Sequence, residues 1–560
     1  MKLKTNCSWE HPYTPDPQYG KRVAYFSMEF GIDQTLKTYS GGLGYLAGSH
    51  MQASYDLKQN MIGIGMLWKF GYYDQIRDQS GNMRALFRER YYNYLQPTDL
   101  VFPVDINGHT VNVQAYYLPP EIFGTIPMYF LSTDRPELND YLACTITHHL
   151  YDQNPAARIA QSIVLGVGGA KVVEALGGAD VYHMNEAHAL PLAFHLYNEH
   201  GSEEAVRQRL AFTTHTPVKA GNEERDFEHM FKMGFFSGIS KEKVREMTKE
   251  EGDRFGYTPA AIRLSGAVNG VSQLHAKVSE EMWSDVEPRP PIIGITNSQH
   301  QGKWQDKQLK AALDAGDDKA LWARKRELKQ DLFEIVAEQT GKRLDPDKLT
   351  IVWARRFAGY KRADLIMRDL TRFYDLLNDG SLPVQIIWAG KPYPHDESAV
   401  EMFNKLINTT RYSDTATVLT GYEMGLSAAL KKGSDVWLNT PRRPKEASGT
   451  SGMTAAMNLS VNFSIDDGWI PEFGKHGHNS FIIPPADDTQ SVQAQDDHDH
   501  FHLMRILEDE IIPLYYQKHE KWLEIAKNSM KEVVEDFEAH RQAAEYYDRL
   551  YSQVGVPQLA

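Results

Sequence analysis

The chain has 560 residues, 42% of them hydrophobic and 24% charged, an ordinary globular composition long enough for two large domains, each with its own core. A formal charge of −14 excludes general nucleic-acid binding, so any anion site must be a local cluster of basic groups. The sequence shows neither a run of about 18 uninterrupted apolar residues nor the apolar core of a signal peptide. With only Cys7 and Cys144 there is no disulfide framework, and a cytoplasmic protein is expected.

In chain order, the apolar β-rich runs of the first half are 22–30, 61–68, 180–188 and 210–217, with a helical stretch at 158–177. A charged helical segment without strand character, 306–348, follows. The second half repeats the pattern at 349–357, 384–392, 415–422 and 434–441, each run leading into a polar loop and an amphipathic helix. Apolar runs followed by helices predict parallel strands covered on both faces, hence an α/β fold with two doubly wound, Rossmann-like domains. The expected division is 1–305, 306–535, and a helical tail, 536–560, that packs back on the first domain. Ligands of such sheets bind outside the carboxyl ends of the strands, where His215, Arg355, Arg356, Lys391 and Arg442 fall.

Five groups carry the chemistry. The stretch YSGGLGYLAG (39–48) has glycines at 41, 42 and 44 that let backbone approach a ligand at a helix start, although alone it reads as a tight turn and its spacing is not that of a P-loop. WARRFAGYKR (353–362) puts Arg355, Arg356, Lys361 and Arg362 within eight residues of an acidic protein, an arrangement that calls for anions or carboxylates to balance it. His188 in NEAH and His215 in TTHTP lack metal-site spacing and read better as polar contacts to sugar hydroxyls or as core histidines; no metal is expected. DDHDHFH (496–502) resembles a metal tract by composition, but the structural reading, acids opening a helix, is preferred. Finally, KEASGTSGMT (445–454) offers backbone N–H groups from Gly449 to Gly452 to phosphate or sugar oxygens, beside Glu446 as a hydroxyl acceptor. Together they describe a site for phosphates and hydroxyls: a sugar phosphate or a sugar nucleotide.

These motifs, with VNGVSQLH, AGKPYPHDE and Asn297 followed seven positions later by Trp304, resemble in order those of the α-glucan (glycogen, maltodextrin) phosphorylases, the short bacterial type most of all. The resemblance runs from about residue 22 to the closing EYYDRLY. It implies the GT-B glycosyltransferase fold with an interdomain cleft, retention at the anomeric carbon, and commonly a homodimer. It places Gly41, Gly42 and Leu43 near the substrate phosphate, with Arg356 and Lys361 neutralising that phosphate. Arg355 would stand beside the cofactor phosphate, and Asn297 and His215 on the hexose. Glu446, Ser448 and Gly449 would hold further hydroxyls, Thr450 and Ser451 the second phosphate, and Tyr422 and Trp304 would line the cofactor pocket.

One departure is large. The family's lysine that forms a Schiff base with pyridoxal phosphate is Thr454 here, so no covalent cofactor is expected and binding of pyridoxal phosphate is itself put in doubt. The functional expectation is therefore a retaining glucosyltransferase that moves glucose from a nucleotide-glucose donor to an α-glucan or small acceptor, with Arg356, Lys361, His215 and Glu446 central. Two alternatives are a phosphorylase releasing glucose 1-phosphate with non-covalent pyridoxal phosphate, and an inactive glucan-binding or regulatory protein.

Overall fold

The computed structural model describes residues 3–555. The chain divides into two compact units: residues 1–73, 87–297 and 539–560 form the first, and 74–86 with 298–538 the second.

The first unit is built on a nine-stranded sheet. Its strands are β1 (Val23–Ser27), β2 (Met61–Met66), β5 (Gln96–Ile106), β6 (His109–Leu118), β7 (Met128–Ser132), β8 (Val181–Asn185), β9 (Leu210–Thr213), β12 (Ala267–Gly270) and β13 (Ile292–Gly294). A two-stranded ribbon, β10 (Glu224–Asp226) with β11 (Arg254–Gly256), lies apart from it. The sheet order is β13-β12-β9-β8-β1-β2-β7-β6-β5, parallel from β13 to β7 and antiparallel at β6 and β5. β1, β2 and β8 are buried at every position, as apolar runs covered on both faces must be. The β5–β7 meander is absent from the sequence reading for a physical reason: β5 carries Pro97 and Pro103 and alternates buried with exposed positions, the pattern of an edge strand. The run Pro155–Ala175 is the one described helix long and apolar enough to cross a membrane, but 78% of it is buried in the unit, where Gly166 and Gly169 admit neighbouring backbone and Phe26.

The second unit carries the hairpin β3 (Asp74–Arg77) and β4 (Met83–Leu86) and a six-stranded parallel sheet. That sheet comprises β14 (Leu349–Ala354), β15 (Val384–Ala389), β16 (Ala416–Leu419), β17 (Val436–Asn439), β18 (Val461–Ile465) and β19 (Ser480–Ile483), in the order β16-β15-β14-β17-β18-β19. Residues 74–86 fall inside the span 1–305 assigned from sequence to the first domain. Side-chain bonds hold them here instead: Gln75 Nε2 donates to the Gly390 carbonyl at 2.9 Å and Gln75 Oε1 accepts from Gly421 N at 3.1 Å, while Asn404 Oδ1 accepts from Met83 N at 2.9 Å. In the sheet, Trp353 pairs in register with Trp388, and Trp437 with Val352; all three indoles are fully buried. The linking segment is helical, as read, at Lys307–Asp314 and Asp318–Thr340.

Candidate active site

In the second unit the strand order reverses beside β14, and the loops leaving β14 and β17 bound the crevice where open α/β sheets take ligands. Close backbone packing sets the first loop. Gly390, at φ +150°, approaches the Arg355 carbonyl so nearly that an added Cβ would stand 1.9 Å from its oxygen. The second loop is stitched to the first: Arg442 N donates to the Tyr360 carbonyl at 2.8 Å, and Thr440 Oγ1 to the Lys361 carbonyl at 2.9 Å. Arg355, Lys361 and Glu446, far apart in sequence, thereby form one cluster.

Lys361 Nζ stands 3.0 Å and Arg355 Nη1 3.6 Å from Glu446 Oε2. Burial raises the Glu446 carboxyl, but Lys361 and Arg355 outweigh that effect and hold it below the ordinary glutamate value. Burial also lowers the Arg355 guanidinium, only in part restored by Glu446. Arg355 Nε and Nη2 are buried without a hydrogen-bond partner among the described residues, and so is Ser448 Oγ. Arg356 is exposed. Asp467, which accepts from Glu446 N at 2.9 Å, is pushed up to about 7 by burial, with Glu446 as the neighbouring charge that raises it, so it is only partly ionised at neutral pH. Three cations against one ionised and one partly ionised carboxylate leave a net positive site with unused donors, which is the signature of an anion pocket.

The neighbouring loop needs glycine at two points. Gly449 has φ +87°, and Gly468 has φ +64° with the Ser448 carbonyl 2.3 Å from where its Cβ would be. The helix that follows, Ser451–Ala456, is only six residues long, so its dipole is smaller than the sequence reading supposed and the side-chain cations dominate. Thr450 caps it without a side-chain bond, and Ser451 Oγ accepts from Trp437 Nε1 at 3.3 Å. Tyr422 lies buried against the same sheet end, its hydroxyl 3.4 Å from the Ala354 carbonyl and 3.3 Å from Ser427 Oγ. Trp304 is buried, and its carbonyl accepts from Asn458 Nδ2 at 2.9 Å.

Two expectations change. Arg362, grouped with the site cations from sequence, is committed to structure: it bonds Asp496 at 2.9 Å, Asp499 at 2.7 Å, and the Thr440 and Pro441 carbonyls. Arg442 also pairs with Asp496, at 2.7 Å. The acids of 496–502 therefore serve as counter-charges. They sit in the middle of the helix Val492–Ile506, whose N-cap is Ser491, and do not open it.

In the first unit the order reverses between β1 and β8, and the polar residues again follow those strands. Glu29, just past β1, organises the glycine loop: its carboxylate accepts from Ser40 N at 2.7 Å, Gly41 N at 3.2 Å and Tyr151 Oη at 2.6 Å. Gly44 and Gly48 are there for packing, since a Cβ would meet Glu29 Oε2 at 2.7 Å in one case and the Gly31 carbonyl at 2.1 Å in the other. Gly41 and Gly42 differ: a Cβ on either meets nothing within 4 Å. Their backbone opens the helix Gly42–Asp56 toward free space, with Leu43 half-buried beside them.

His215 follows β9. Its Nε2 lies 2.7 Å from Asn185 Oδ1 and its backbone N donates to Glu186 Oε1. Burial pushes its imidazole down to about 3, with His275 and His188 adding to the effect. The ring is therefore neutral, its Nε2–H is given to Asn185, and Nδ1 is left as an acceptor for a hydroxyl. Asn297 is buried, with Oδ1 accepting from Gln542 Nε2 at 3.1 Å. Glu186 is held at φ +67° and is pushed up to about 7 by burial. Strain at a buried ionisable residue is a functional signal. Glu29, Asn185, Glu186 and Asp467 were not singled out from sequence, although Asn185 and Glu186 lay inside the motif NEAH.

Comparisons with known proteins decide the family. Residues 295–552 match the carbohydrate phosphorylase model. The chain is 34% identical to the maltodextrin phosphorylase of Thermococcus litoralis, over 96% of this chain and 71% of that one. It is 31% identical to the glycogen phosphorylase of Aquifex aeolicus, over 96% of this chain and 87% of that one. An uncharacterised protein of Methanocaldococcus jannaschii is 46% identical over 95% of this chain and the whole of its own length. The chain belongs to the carbohydrate phosphorylase family. It is a glycosyltransferase of phosphorylase type.

Pyridoxal phosphate is the group that membership implies. Arg355 Nε and Nη2 and Ser448 Oγ are unsatisfied donors that one phosphate would fill, whether the cofactor's or the substrate's. Position 454 supplies no amine: Thr454 is fully buried and its Oγ1 donates to the Ser451 carbonyl at 3.0 Å.

Proposed function

We propose that the protein moves a glucosyl residue, with retention, between an α-glucan and phosphate, glucose 1-phosphate being the small sugar partner. The observation that supports this is Arg355, buried with two unfilled donors beside Lys361 and Glu446. In this reading Arg355 and Lys361 draw the phosphate in, and Arg356, exposed at the same loop, adds charge where the leaving oxygen becomes negative. Glu446, kept ionised by the two cations, accepts hydrogen bonds from the hexose. The first unit, by itself, offers His215 Nδ1 as an acceptor for a sugar hydroxyl and the open Gly41–Gly42 backbone as a place for an anion at a helix start. Departure and attack on one face of the sugar retain configuration without a nucleophilic carboxylate. If pyridoxal phosphate binds beside this cluster, the chemistry it would supply there is that of a second phosphate, an acid–base group near the substrate phosphate. We take the protein to act in the cytoplasm, given two free thiols.

Thr454 favours a second reading, in which a nucleotide-glucose donor spans the anion pocket and no vitamin-derived group is needed. One experiment separates the two. Purified protein is incubated with maltodextrin and inorganic phosphate, and in parallel with nucleotide-glucose donors and maltodextrin. Release of glucose 1-phosphate, with no transfer from any nucleotide sugar, supports the first reading; transfer from a nucleotide sugar without phosphorolysis refutes it.

A further inference from the structure

The loop that carries Glu446, Ser448 and Gly449 has little of its own to hold it. The helix after it, Ser451–Ala456, is short, and Thr450 caps it without a side-chain bond. The Glu446 carboxylate is given to Lys361 and Arg355, and Ser448 Oγ is buried without a hydrogen-bond partner among the described residues. Neither side chain ties back to its own loop. The loop is instead met by the turn that follows β18, through three consecutive residues, Asp467, Gly468 and Trp469.

Asp467 Oδ2 accepts from Glu446 N at 2.9 Å and its Oδ1 from Gly468 N at 2.9 Å, so one carboxylate is tied to its own turn and to the loop at once. Gly468 lets the loop come close: a Cβ there would stand 2.3 Å from the Ser448 carbonyl oxygen and 3.2 Å from Glu446 Cγ. Trp469 N donates to that same carbonyl at 2.9 Å. The buried indole of Trp469 lies under the glycines, 3.7 Å from where a Cβ on Gly449 would be and 3.2 Å from one on Gly452. Phe473 stacks on this indole at 4.6 Å and Phe537 meets it edge-on at 4.9 Å, which makes the turn a firm support. The two main-chain anchors, Glu446 N and the Ser448 carbonyl, belong to the two residues whose side chains the pocket uses. Asp467 is the costly member, because it is a buried carboxylate beside a second one. An apolar residue would avoid that cost, and the acceptor for Glu446 N is what the fold gains by keeping the acid.

We propose that Asp467 is a positioning residue for glycosyl transfer: it fixes the main chain at 446–448, and with it the placement of the Glu446 carboxylate against Lys361 and Arg355. This rests on the phosphorolysis reading above. The loop bearing Arg355 and Lys361 is held by other contacts, the Thr440 bond to the Lys361 carbonyl and the close approach of Gly390 to the Arg355 carbonyl. Loss of Asp467 therefore disturbs the group that meets the sugar and leaves the two cations that draw phosphate in.

The test compares Asp467→Ala with Asp467→Asn in the full-length protein, assayed for phosphorolysis of maltodextrin, with circular dichroism and Tm recorded alongside. Asp467→Ala should lower kcat roughly ten- to a hundredfold, as a shift of about 1 Å in a contact group does, with KM for inorganic phosphate within about threefold of wild type. Asp467→Asn keeps an oxygen for Glu446 N and should bring kcat back to within about threefold. A lower Tm with kcat unchanged in Asp467→Ala, or an Asn variant no better than Ala, overturns the proposal. Should Asp467→Ala fail to fold, Asp467→Ser, whose hydroxyl falls one bond short of Glu446 N, takes its place and is judged by the same outcomes. Wild-type protein that releases no glucose 1-phosphate refutes the phosphorolysis reading and this role with it; active wild type beside an equally active Asp467→Ala refutes the positioning role alone.

Discussion

Replacing Arg355 with Met tests the anion pocket most directly. The guanidinium has two buried donor nitrogens without partners and a contact of 3.6 Å to Glu446. A charge-assisted hydrogen bond contributes about 1.5–3 kcal/mol, so two of them to one phosphate contribute about 3–6 kcal/mol, or roughly two to four orders of magnitude in Kd. The ligand-free protein should respond differently. At 3.6 Å and an effective dielectric near 20 the attraction to Glu446 is about 4–5 kcal/mol, but desolvating the guanidinium and leaving two donors unfilled costs about as much. Glu446 also retains Lys361 at 3.0 Å. The expected result is a ligand-free Tm within a few degrees of wild type together with a loss of phosphate and glucose 1-phosphate binding by titration calorimetry. Arg355→Lys keeps the charge and loses the fork, and should forfeit about tenfold. A Kd for phosphate within twofold of wild type in Arg355→Met, with the fold intact, would refute the assignment.

Other substitutions probe separate parts of the argument. Gly42→Ala meets no atom within 4 Å and should leave Tm unchanged, yet raise KM for the sugar phosphate if the backbone must lie against it; Gly44→Ala should lower Tm, because its Cβ falls 2.7 Å from Glu29 Oε2 and Tyr39 Cβ. Glu186 has a folded pKa of about 7, above its unfolded value, so the folded state holds the extra proton and stability falls as pH rises from the unfolded glutamate value toward 7. Glu186→Gln should flatten that slope in a Tm–pH series; an unchanged slope would mean the carboxyl is ionised. Replacing Asn185 with Asp puts a carboxylate 2.7 Å from His215 Nε2 and should raise the imidazole pKa, measured by NMR titration, and weaken glucose 1-phosphate binding as the neutral acceptor is lost.

The doubly wound architecture was legible because β1, β2, β8 and the core strands of the second unit are mostly apolar runs without polar alternation, and each is buried at every position, as two-sided burial requires. The loops after those strands then located Arg355, Lys361, Glu446 and His215. What sequence did not disclose was pairing. Four cations in WARRFAGYKR look alike, and only the fold shows that Arg362 is neutralised by Asp496 and Asp499, more than 130 positions later, while Arg355 keeps unused donors. Glu29 belongs to the same class: a lone acid at a strand end, whose hold on Ser40 and Gly41 exists only once the loop has folded back.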